Sequence, residues 1–304
     1  MKTVLCVAAL AAVCAAPLAA RAQSAAASTR LQVQSPNGNV DRSTPGVGSS
    51  TLQFASDNFN NGITSLIASA TAGGGSLSTF ASAAAGFDTT PFVDGGNARA
   101  TASLSDTLTV RFDGSVAQAV TFNFAVRASG SVTFDGGINT GRTGRARSEY
   151  AMTLASSSGS VSASGAVEAG RQIRVPITVI DNLLATDDYM RVEGLGFDDL
   201  QLTLAVLPLT DGTTLDLSMS SASIGSVVAT DIRPGAAMSA TADFGSTLRW
   251  MGVVSATLPD GSPYTGGYSI TSLSGFDYGA PVPGPGAAAL LATGGLIAAR
   301  RRRV

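Results

Sequence analysis

The amino-acid sequence predicts an all-β protein, an antiparallel and jelly-roll-like β-sandwich followed by a short C-terminal transmembrane helix. Apolar and polar residues alternate over long stretches, Gly, Ser and Asp turns separate these stretches, and no window combines a helical period with caps. Alternate side chains leave opposite faces of a sheet, so an alternating stretch indicates a strand with one buried face. On the order of ten such strands in one domain favour two packed sheets.

Residues 1–22 are expected to form a secretory signal peptide. Lys2 supplies a positive charge, and the stretch from Val4 to Leu18 is almost uninterruptedly apolar. A small-residue cleavage motif follows, formed by Ala20 and Ala22 ahead of Gln23. The next segment, 23–50, is polar and rich in turn residues, and we expect it to be a flexible lead-in.

The strands are clearest within 51–280, the predicted sandwich domain. From Ala98 to Phe112 every even position except Asp106 is apolar, whereas most odd positions hold Arg, Ser or Thr. A second alternating stretch runs from Val120 to Phe134, and the short connection between the two predicts an antiparallel hairpin. Further strands are predicted at 150–154, 161–167, 173–179, 200–206, 215–219, 238–244, 248–250 and 268–270.

The composition excludes several kinds of catalytic site. The chain has no histidine, Lys2 is its only lysine, and both cysteines, Cys6 and Cys14, lie in the expected signal peptide. A mature chain of this composition lacks Ser-His-Asp and Cys-His sites, Schiff-base lysines, and histidine or thiolate metal ligands. Only carboxylate chemistry remains, and we expect a protein that is not an enzyme.

The predicted mature region is mildly acidic. Removing Lys2, Arg21 and Arg300–Arg303 from the 19 basic residues leaves 13 arginines, against 21 acidic residues, a difference of −8. Such a surface disfavours nucleic acid and anionic lipid as partners. We therefore expect no nucleic-acid partner, and a membrane contact only through the C-terminal tail.

One acidic segment is a candidate for chemistry. Six acids fall within 19 residues, namely Asp181, Asp187, Asp188, Glu193, Asp198 and Asp199. We favour a solvated loop between strands. Structural calcium on Asp187, Asp188, Asp198 and Asp199 is one alternative, because calcium prefers several oxygen ligands on a flexible loop. A glycosidase-like carboxylate pair is the other.

Two further features are candidates for ligand contacts. Arg142, Arg145 and Arg147 form a small basic loop, which we interpret as a charged hairpin tip rather than a site for anionic polysaccharide. Trp250, the only tryptophan, shares a face with Leu248, so we expect it in the core rather than in a sugar-stacking platform. A glycan-binding surface would need exposed aromatic rings among Tyr150, Tyr189, Trp250, Tyr264 and Tyr268.

Residues 281–304 have a different composition from the domain and are predicted to form a sorting tail. A proline-rich motif precedes an uncharged segment from Gly286 to Ala299, and four arginines follow it, Arg300, Arg301, Arg302 and Arg303. As a helix this segment would measure about 21 Å, short for a hydrocarbon core of about 30 Å, although arginine side chains extend its reach. The arginines would stay cytoplasmic and leave the domain outside.

The order of these features resembles the PEP-CTERM sorting signal. The resemblance covers 282–303, and its proline motif is Val282, Pro283, Gly284 and Pro285, with glycine where the namesake motif has glutamate. It implies that an exosortase, a membrane-embedded cysteine protease-like enzyme, recognises the tail and removes it. Segments of the domain, such as 105–110, 242–248 and 275–278, resemble secreted PEP-CTERM proteins of uncharacterised function, which implies no catalytic or binding residues.

Together these features favour an exported structural protein of the cell surface, extracellular matrix or biofilm, transiently anchored in the membrane by its C-terminal helix. A secreted carbohydrate-binding module, with exopolysaccharide as its partner, is the first alternative. A carboxylate-dependent glycoside hydrolase or lyase is the second. The aromatic content of 6% weakens both alternatives, because sugar clefts are usually lined by aromatic rings.

Overall fold

The structure is a computed structural model that describes residues 24–34, 39–49, 52–60, 64–86, 94–135, 142–173, 179–180, 183–184, 186–195, 199–229 and 237–279. All regular secondary structure in these ranges is β. In chain order the strands are β1 (Ser24–Gln34), β2 (Val40–Pro45), β3 (Val47–Ser49), β4 (Leu52–Asn60), β5 (Thr64–Gly73), β6 (Ser76–Gly86), β7 (Asp94–Phe112), β8 (Val120–Ala128), β9 (Ser131–Asp135), β10 (Arg142–Ser156), β11 (Gly159–Ile173), β12 (Val179–Ile180), β13 (Leu183–Leu184), β14 (Thr186–Gly194), β15 (Asp199–Val206), β16 (Thr213–Ala229), β17 (Ala237–Thr257) and β18 (Tyr268–Ser272).

Sixteen of the strands form two large antiparallel sheets that pack face to face, and β12 and β13 pair only with each other. Sheet A has the order β14-β11-β10-β16-β7-β1-β2, and β18 also pairs with β7. Sheet B has the order β15-β8-β17-β6-β5-β4-β3, and β9 also pairs with β17. The two sheets are aligned so that the strand orders given above run side by side: β11 packs on β15, β16 on β6, and β1 on β4. The prediction of an all-β protein with two antiparallel sheets is confirmed.

The chain moves between the sheets differently in its two halves. Strands β4, β5 and β6 follow one another through antiparallel pairings in sheet B. The β5–β6 turn is Gly74-Gly75, and both residues have the positive φ, 54° and 68°, that a two-residue hairpin turn of type I′ requires. From β7 onwards the chain crosses repeatedly from one sheet to the other.

The predicted hairpin between the stretches at 98–112 and 120–134 is wrong. Strand β7 lies in sheet A between β16 and β1, whereas β8 lies in sheet B between β15 and β17. Residues 113–119 connect them, and this length is sufficient to cross the roughly 10 Å between packed sheets. The alternation identifies which face of each strand is buried. It does not show that β7 and β8 belong to different sheets, whose buried faces point toward each other.

The described parts of the expected lead-in, residues 24–34 and 39–49, are mostly strand. Strand β1 is an inner strand of sheet A, paired with β7 along its whole length and with β2 on its other side. Its inward side chains are buried, namely Ala27, Thr29, Leu31 and Val33. Small and polar residues gave this segment a loop-like composition, although it carries the same alternation as β7. The sandwich therefore begins at β1, before residue 51.

One half of the core is thin because its side chains are small. Buried alanines dominate it, including Ala68, Ala70, Ala81, Ala83, Ala98, Ala100, Ala240 and Ala242. A methyl group on Gly225 of β16 would lie 2.6 Å from the Ala240 carbonyl oxygen of sheet B. Buried hydroxyls also bridge the sheets, as Ser223 Oγ lies 2.9 Å from Thr79 Oγ1 and donates to the Thr79 carbonyl oxygen.

The other half of the core is thick and aromatic. Trp250 is fully buried, its ring centroid lies 5.0 Å from that of Phe124, and its Nε1 donates to the Tyr278 carbonyl oxygen at 2.8 Å. The prediction that Trp250 belongs to the core is confirmed. Asp106, the one break in the alternation of β7, is a buried carboxylate that accepts hydrogen bonds of 2.8 Å from Ser274 Oγ and from the Thr107 amide.

No helix within the described ranges is long and apolar enough to span a membrane. Both predicted terminal signals lie outside those ranges. This applies to the signal peptide with Ala20, Ala22 and Gln23, and to the tail with Val282, Pro283, Gly284, Pro285 and Arg300–Arg303.

Candidate functional site

A groove of about 690 Å³ crosses the outer face of sheet A. Six neighbouring strands line it, namely β14, β11, β10, β16, β7 and β1. Five strand spacings of about 4.8 Å give it a length of roughly 24 Å, perpendicular to the strands. The groove is therefore longer across the strands than along them, and it lies on a sheet face rather than at a strand end.

Two rows of side chains form the floor, and the strand registers align them. The first row is Ser28, Thr101, Ala222, Glu149, Ala166 and Glu193. The second row is Ala26, Ser103, Ser220, Ala151 and Ser164. Most of these side chains are alanine, serine or threonine, so the floor presents mainly hydroxyl and methyl groups.

An ion-pair cluster centred on Arg147 borders one part of the groove. Arg147 is 20% exposed and bonds three glutamates, with Nε 3.0 Å from Glu149, Nη1 3.3 Å from Glu168 and Nη2 2.9 Å from Glu193. Arg191 adds a contact of 3.0 Å to Glu193. The cluster forms because Arg147, Glu168 and Arg191 are directly opposite one another on β10, β11 and β14.

The bonds within this cluster favour the charged forms of Glu193 and Arg147. The hydrogen bond from Arg147 is the main cause that lowers the pKa of Glu193, and the charges of Arg147 and Arg191 add to it. In return, Glu193 is the main cause that raises the pKa of Arg147, with Glu149 and Glu168 contributing. An ionised carboxylate accepts hydrogen bonds but does not act as a general acid at neutral pH.

The predicted basic hairpin tip is not present as such. Arg142, Arg145 and Arg147 lie in β10, which pairs with β16 through all three residues. Arg147 is the centre of an acidic cluster rather than part of a basic patch. The side chain of Arg145 is exposed.

The acidic segment is largely strand rather than loop, and its described members belong to both sheets. Asp187 and Asp188 belong to β14 of sheet A, where their backbones pair with Gln172 and Arg171. Asp199 begins β15 of sheet B. Asp181 and Asp198 lie outside the described residues.

Asp199 has a structural partner. Its two carboxylate oxygens accept hydrogen bonds from Arg127 Nε at 2.7 Å and Nη2 at 2.9 Å. The hydrogen bond from Arg127 is the main cause that lowers the pKa of Asp199. Among the described side chains no group of three or more potential metal ligands occurs. A calcium site on Asp187, Asp188, Asp198 and Asp199 stays a prediction.

The candidate aromatic side chains do not form an exposed platform within the described part of the chain. Tyr150 and Trp250 are buried. Tyr264 and Tyr268 are partly buried and pack edge-on against Phe112 and Phe122, with ring centroids 5.7 Å and 5.0 Å apart. The side chain of Tyr189 is outside the described set.

The groove residues were not singled out from the sequence. Ser28, Thr101, Ser103 and Ser220 come from three strands that are distant in the chain, and similar small polar residues, such as Ser105 and Ser218, lie on the same face outside the groove. The two rows exist only through the registers of β1, β7 and β16. The charged residues at 145–149 were the one sign of this site in the sequence, because they interrupt a strand face that otherwise carries small residues.

Chemically, the groove offers hydroxyl, guanidinium and carboxylate groups above a floor of small side chains. This combination suits noncovalent binding of a polar ligand. Comparisons of the chain with protein-family models, curated proteins and solved structures give no significant match.

Proposed function

We propose that this chain is an exported structural protein of the cell surface or extracellular matrix, sorted and processed through its C-terminal tail. One observation carries the proposal: the described sandwich lies entirely between the two expected signals. Strand β1 begins at Ser24, directly after the expected cleavage site between Ala22 and Gln23. Tyr278, which is fully buried, is the last core side chain before the tail that begins near Val282.

Processing at both ends would therefore spare the fold. Removal of 1–22 and of 282–304 leaves every described strand and every buried core side chain in place. This matters because β1 is an inner strand of sheet A, so a cut within it would open the sheet. A chain without mature cysteines depends on such an intact core outside the cell.

The proposed role is not enzymatic. The mature chain lacks the residue types of most hydrolytic sites, and Glu193 and Asp199 have lowered pKa values. A glycosidase needs one carboxyl group with a raised pKa. Exosortase processing, transient anchoring by a C-terminal helix and a jelly-roll description of the topology belong to the same proposal, and they rest on the sequence patterns.

Cell fractionation of the full-length chain, carrying an affinity tag inserted at the exposed turn Asp260-Gly261, tests the proposal. We expect the tag at the cell surface or in the medium, on a product shorter than the full chain at both ends. A matched variant with Arg300–Arg303 replaced by glutamine should accumulate unprocessed in the envelope. Full-length product that remains in the cytoplasm would contradict the proposed role.

A further inference from the structure

One corner of the sandwich carries an exposed apolar patch, formed by Val47, Leu52 and Phe54 on the outer face of sheet B. We propose that this patch lies on the surface of a lipid bilayer while the chain is anchored. The inference rests on the membrane anchoring in the proposed function. It adds a contact by the folded domain to the expected contact through the tail.

The three side chains of the patch adjoin one another and point away from the core. Val47 is 70% exposed, Leu52 55% and Phe54 49%. Val47 of β3 stands directly opposite Phe54 of β4, and Leu52 lies two residues from Phe54 on the same face. Ala55, the next residue, is buried, as alternation along the strand requires. Large apolar side chains that adjoin one another at the surface indicate an interaction site.

Charges are almost absent from this side of the domain. Asp57 is the only charged residue between Ser43 and Phe87, a stretch that includes β3, β4, β5 and β6. The Asp57 side chain is only 11% exposed and accepts hydrogen bonds from Arg42 Nη1 at 3.4 Å and Thr44 Oγ1 at 3.0 Å. A surface without exposed charge enters a bilayer interface at little desolvation cost.

The outer face of sheet A differs sharply in charge. One row of charged residues crosses it, as the strand registers show, with a member on each of β1, β7, β10, β11 and β14: Arg30, Arg99, Arg147, Glu168 and Arg191. That face is suited to water. The two faces of the sandwich therefore differ in the surroundings that they favour.

Both ends of the described domain lie close together on β7. Ser24 Oγ, at the start of β1, lies 2.9 Å from Ser105 Oγ. Ser274 Oγ donates to the carboxylate of Asp106 at 2.8 Å. Adjacent residues of one strand thus hold the beginning and the end of the domain.

The same two ends adjoin the patch. The Gly46 amide, which precedes the patch in the chain, donates to the Ala27 carbonyl oxygen of β1 at 2.7 Å. On the C-terminal side, a methyl carbon on Gly74 would lie 3.4 Å from the Phe276 ring, and Leu52 pairs with the residue before Gly74. The patch and both chain ends therefore share one corner.

Chain length keeps this corner near the bilayer. Six residues separate Ser24 from Leu18, the end of the first apolar stretch, and seven separate Gly279 from Gly286, where the second begins. At about 3.5 Å per residue these tethers reach at most about 21 Å and 25 Å. The opposite edge of sheet A, β14, is six strand spacings from β2, about 29 Å. The patch is thus nearer to both tethers than that edge is.

A second copy of the chain suits the patch less well than a bilayer. Three side chains on two neighbouring strands offer little area compared with the roughly 800 Å² that each partner contributes to a stable protein interface. A tethered contact needs little intrinsic affinity, because the tether holds the patch at a high effective concentration near the bilayer.

Fluorescence quenching in phosphatidylcholine vesicles tests the inference on the full-length chain. Cys6 and Cys14, the only cysteines, are replaced by serine, so that one new cysteine can carry a fluorophore. Ser56→Cys places it beside the patch on β4, Ser218→Cys is the exposed control on sheet A, and Thr293→Cys reports insertion of the tail. Spin-labelled lipid is the quencher, with its label near the headgroup for the two domain probes and deep in the acyl chain for the tail probe.

The three probes separate failure of the patch from failure of the anchor. We expect quenching at 56 and 293 and none at 218. Quenching at 293 with none at 56 would overturn the inference and leave the proposed anchoring intact. Quenching at 56 with none at 293 would support the patch and contradict anchoring by the tail, whereas no quenching at either would overturn both. Quenching of the 56 probe by other labelled chains rather than by lipid would assign the patch to a second copy.

A matched pair of double variants locates the contact. Leu52→Ser with Phe54→Ser removes most of the patch, and Met190→Ser with Val192→Ser removes two exposed apolar side chains from β14 in sheet A. The first should lower the equilibrium constant for the contact at Ser56 at least about ten-fold, because two half-exposed side chains no longer leave water. The second should leave it unchanged. Equal quenching in both double variants would contradict the assignment of the contact to the patch.

Salt separates an apolar contact from an electrostatic one without any substitution. Quenching at 56 should be unchanged between about 0.1 M and 1 M salt, because the patch holds no charge to screen. Anionic lipid should not strengthen it, since the expected mature region has more acidic than basic residues. Release of the 56 probe from lipid at high salt would overturn the inference.

Discussion

Adding one methyl group at Gly225 tests how closely the two sheets approach. In the structure, the methyl carbon of Gly225→Ala would lie 2.6 Å from the Ala240 carbonyl oxygen, 3.0 Å from the Ala83 nitrogen and 3.1 Å from the Ala81 carbonyl oxygen. All three atoms belong to the backbone of sheet B, so no side chain can rotate away. The sheets would have to separate by several tenths of an ångström along β16.

The destabilisation expected for Gly225→Ala has two causes, overpacking of the added methyl group and the loss of contacts between the sheets. Inserting a methyl group into a packed core costs about 1–3 kcal/mol, and a gap of about 0.5–1 Å forfeits a quarter to a half of each dispersion contact it opens. For a domain of this size, each kcal/mol lowers Tm by about 2–4 °C. We therefore expect Gly225→Ala to lower Tm by about 2–12 °C in a thermal scan followed by circular dichroism.

A matched variant adds the same methyl group on the opposite face of β16. Ser218 is exposed on the outer face, so Ser218→Thr directs its methyl group toward solvent and should leave Tm within about a degree. If Gly225→Ala melts at the same temperature as Ser218→Thr, the close approach of the sheets is refuted. The physical account of the alanine-rich half of the core would then be wrong.

Three further predictions concern the aromatic half and the surface ion pairs. Trp250→Phe should destabilise the fold by about 2–4 kcal/mol in urea titration, since it leaves a space and a buried Tyr278 carbonyl oxygen without its donor. Asp106→Ala should accelerate hydrogen exchange in β18 and the segment after it, because Asp106 bonds Ser274; Asp106→Asn should do so less. Stability should fall below about pH 4, because the folded pKa of Asp199 lies under its unfolded value and protonation then favours unfolding. Asp199→Asn should reduce that acid-dependent loss.

Each of these predictions has a contradicting result. Full stability of Trp250→Phe would mean that its indole hydrogen bond contributes nothing to the fold. Uniform exchange across the chain in Asp106→Ala would show that the carboxylate does not anchor the C-terminal segment. A urea midpoint that rises as the pH falls from 5 to 2 would reverse the sign deduced for Asp199 and its Arg127 partner.

The all-β character was predictable because alternation is local. Strand β7 shows it from Ala98 to Phe112, and even Asp106, the exception, faces inward with its own hydrogen bonds. The burial of Trp250 followed from the same reasoning, since position 250 shares a face with 248. Features that depend only on which face of a strand is buried were therefore accessible from the sequence.

Strand partners were not predictable, because they depend on contacts between distant segments. The stretch at 98–112 pairs with β1 and β16 rather than with β8, although β8 follows it in the chain. Strand β1 was not predicted either, because its serine and alanine residues do not mark a buried face clearly. The groove was not predictable, because Ser103 and Ser220 become neighbours only through the register of β7 with β16.

Intact-mass analysis of the extracellular or surface-bound product tests most directly whether an intact sandwich is delivered outside the cell without the two ends of the chain. We expect an N-terminus at Gln23 and a C-terminus beyond Tyr278 that lacks Arg300–Arg303. A product that retains Met1 and Arg303, or one cut within β1 or before Tyr278, would contradict it.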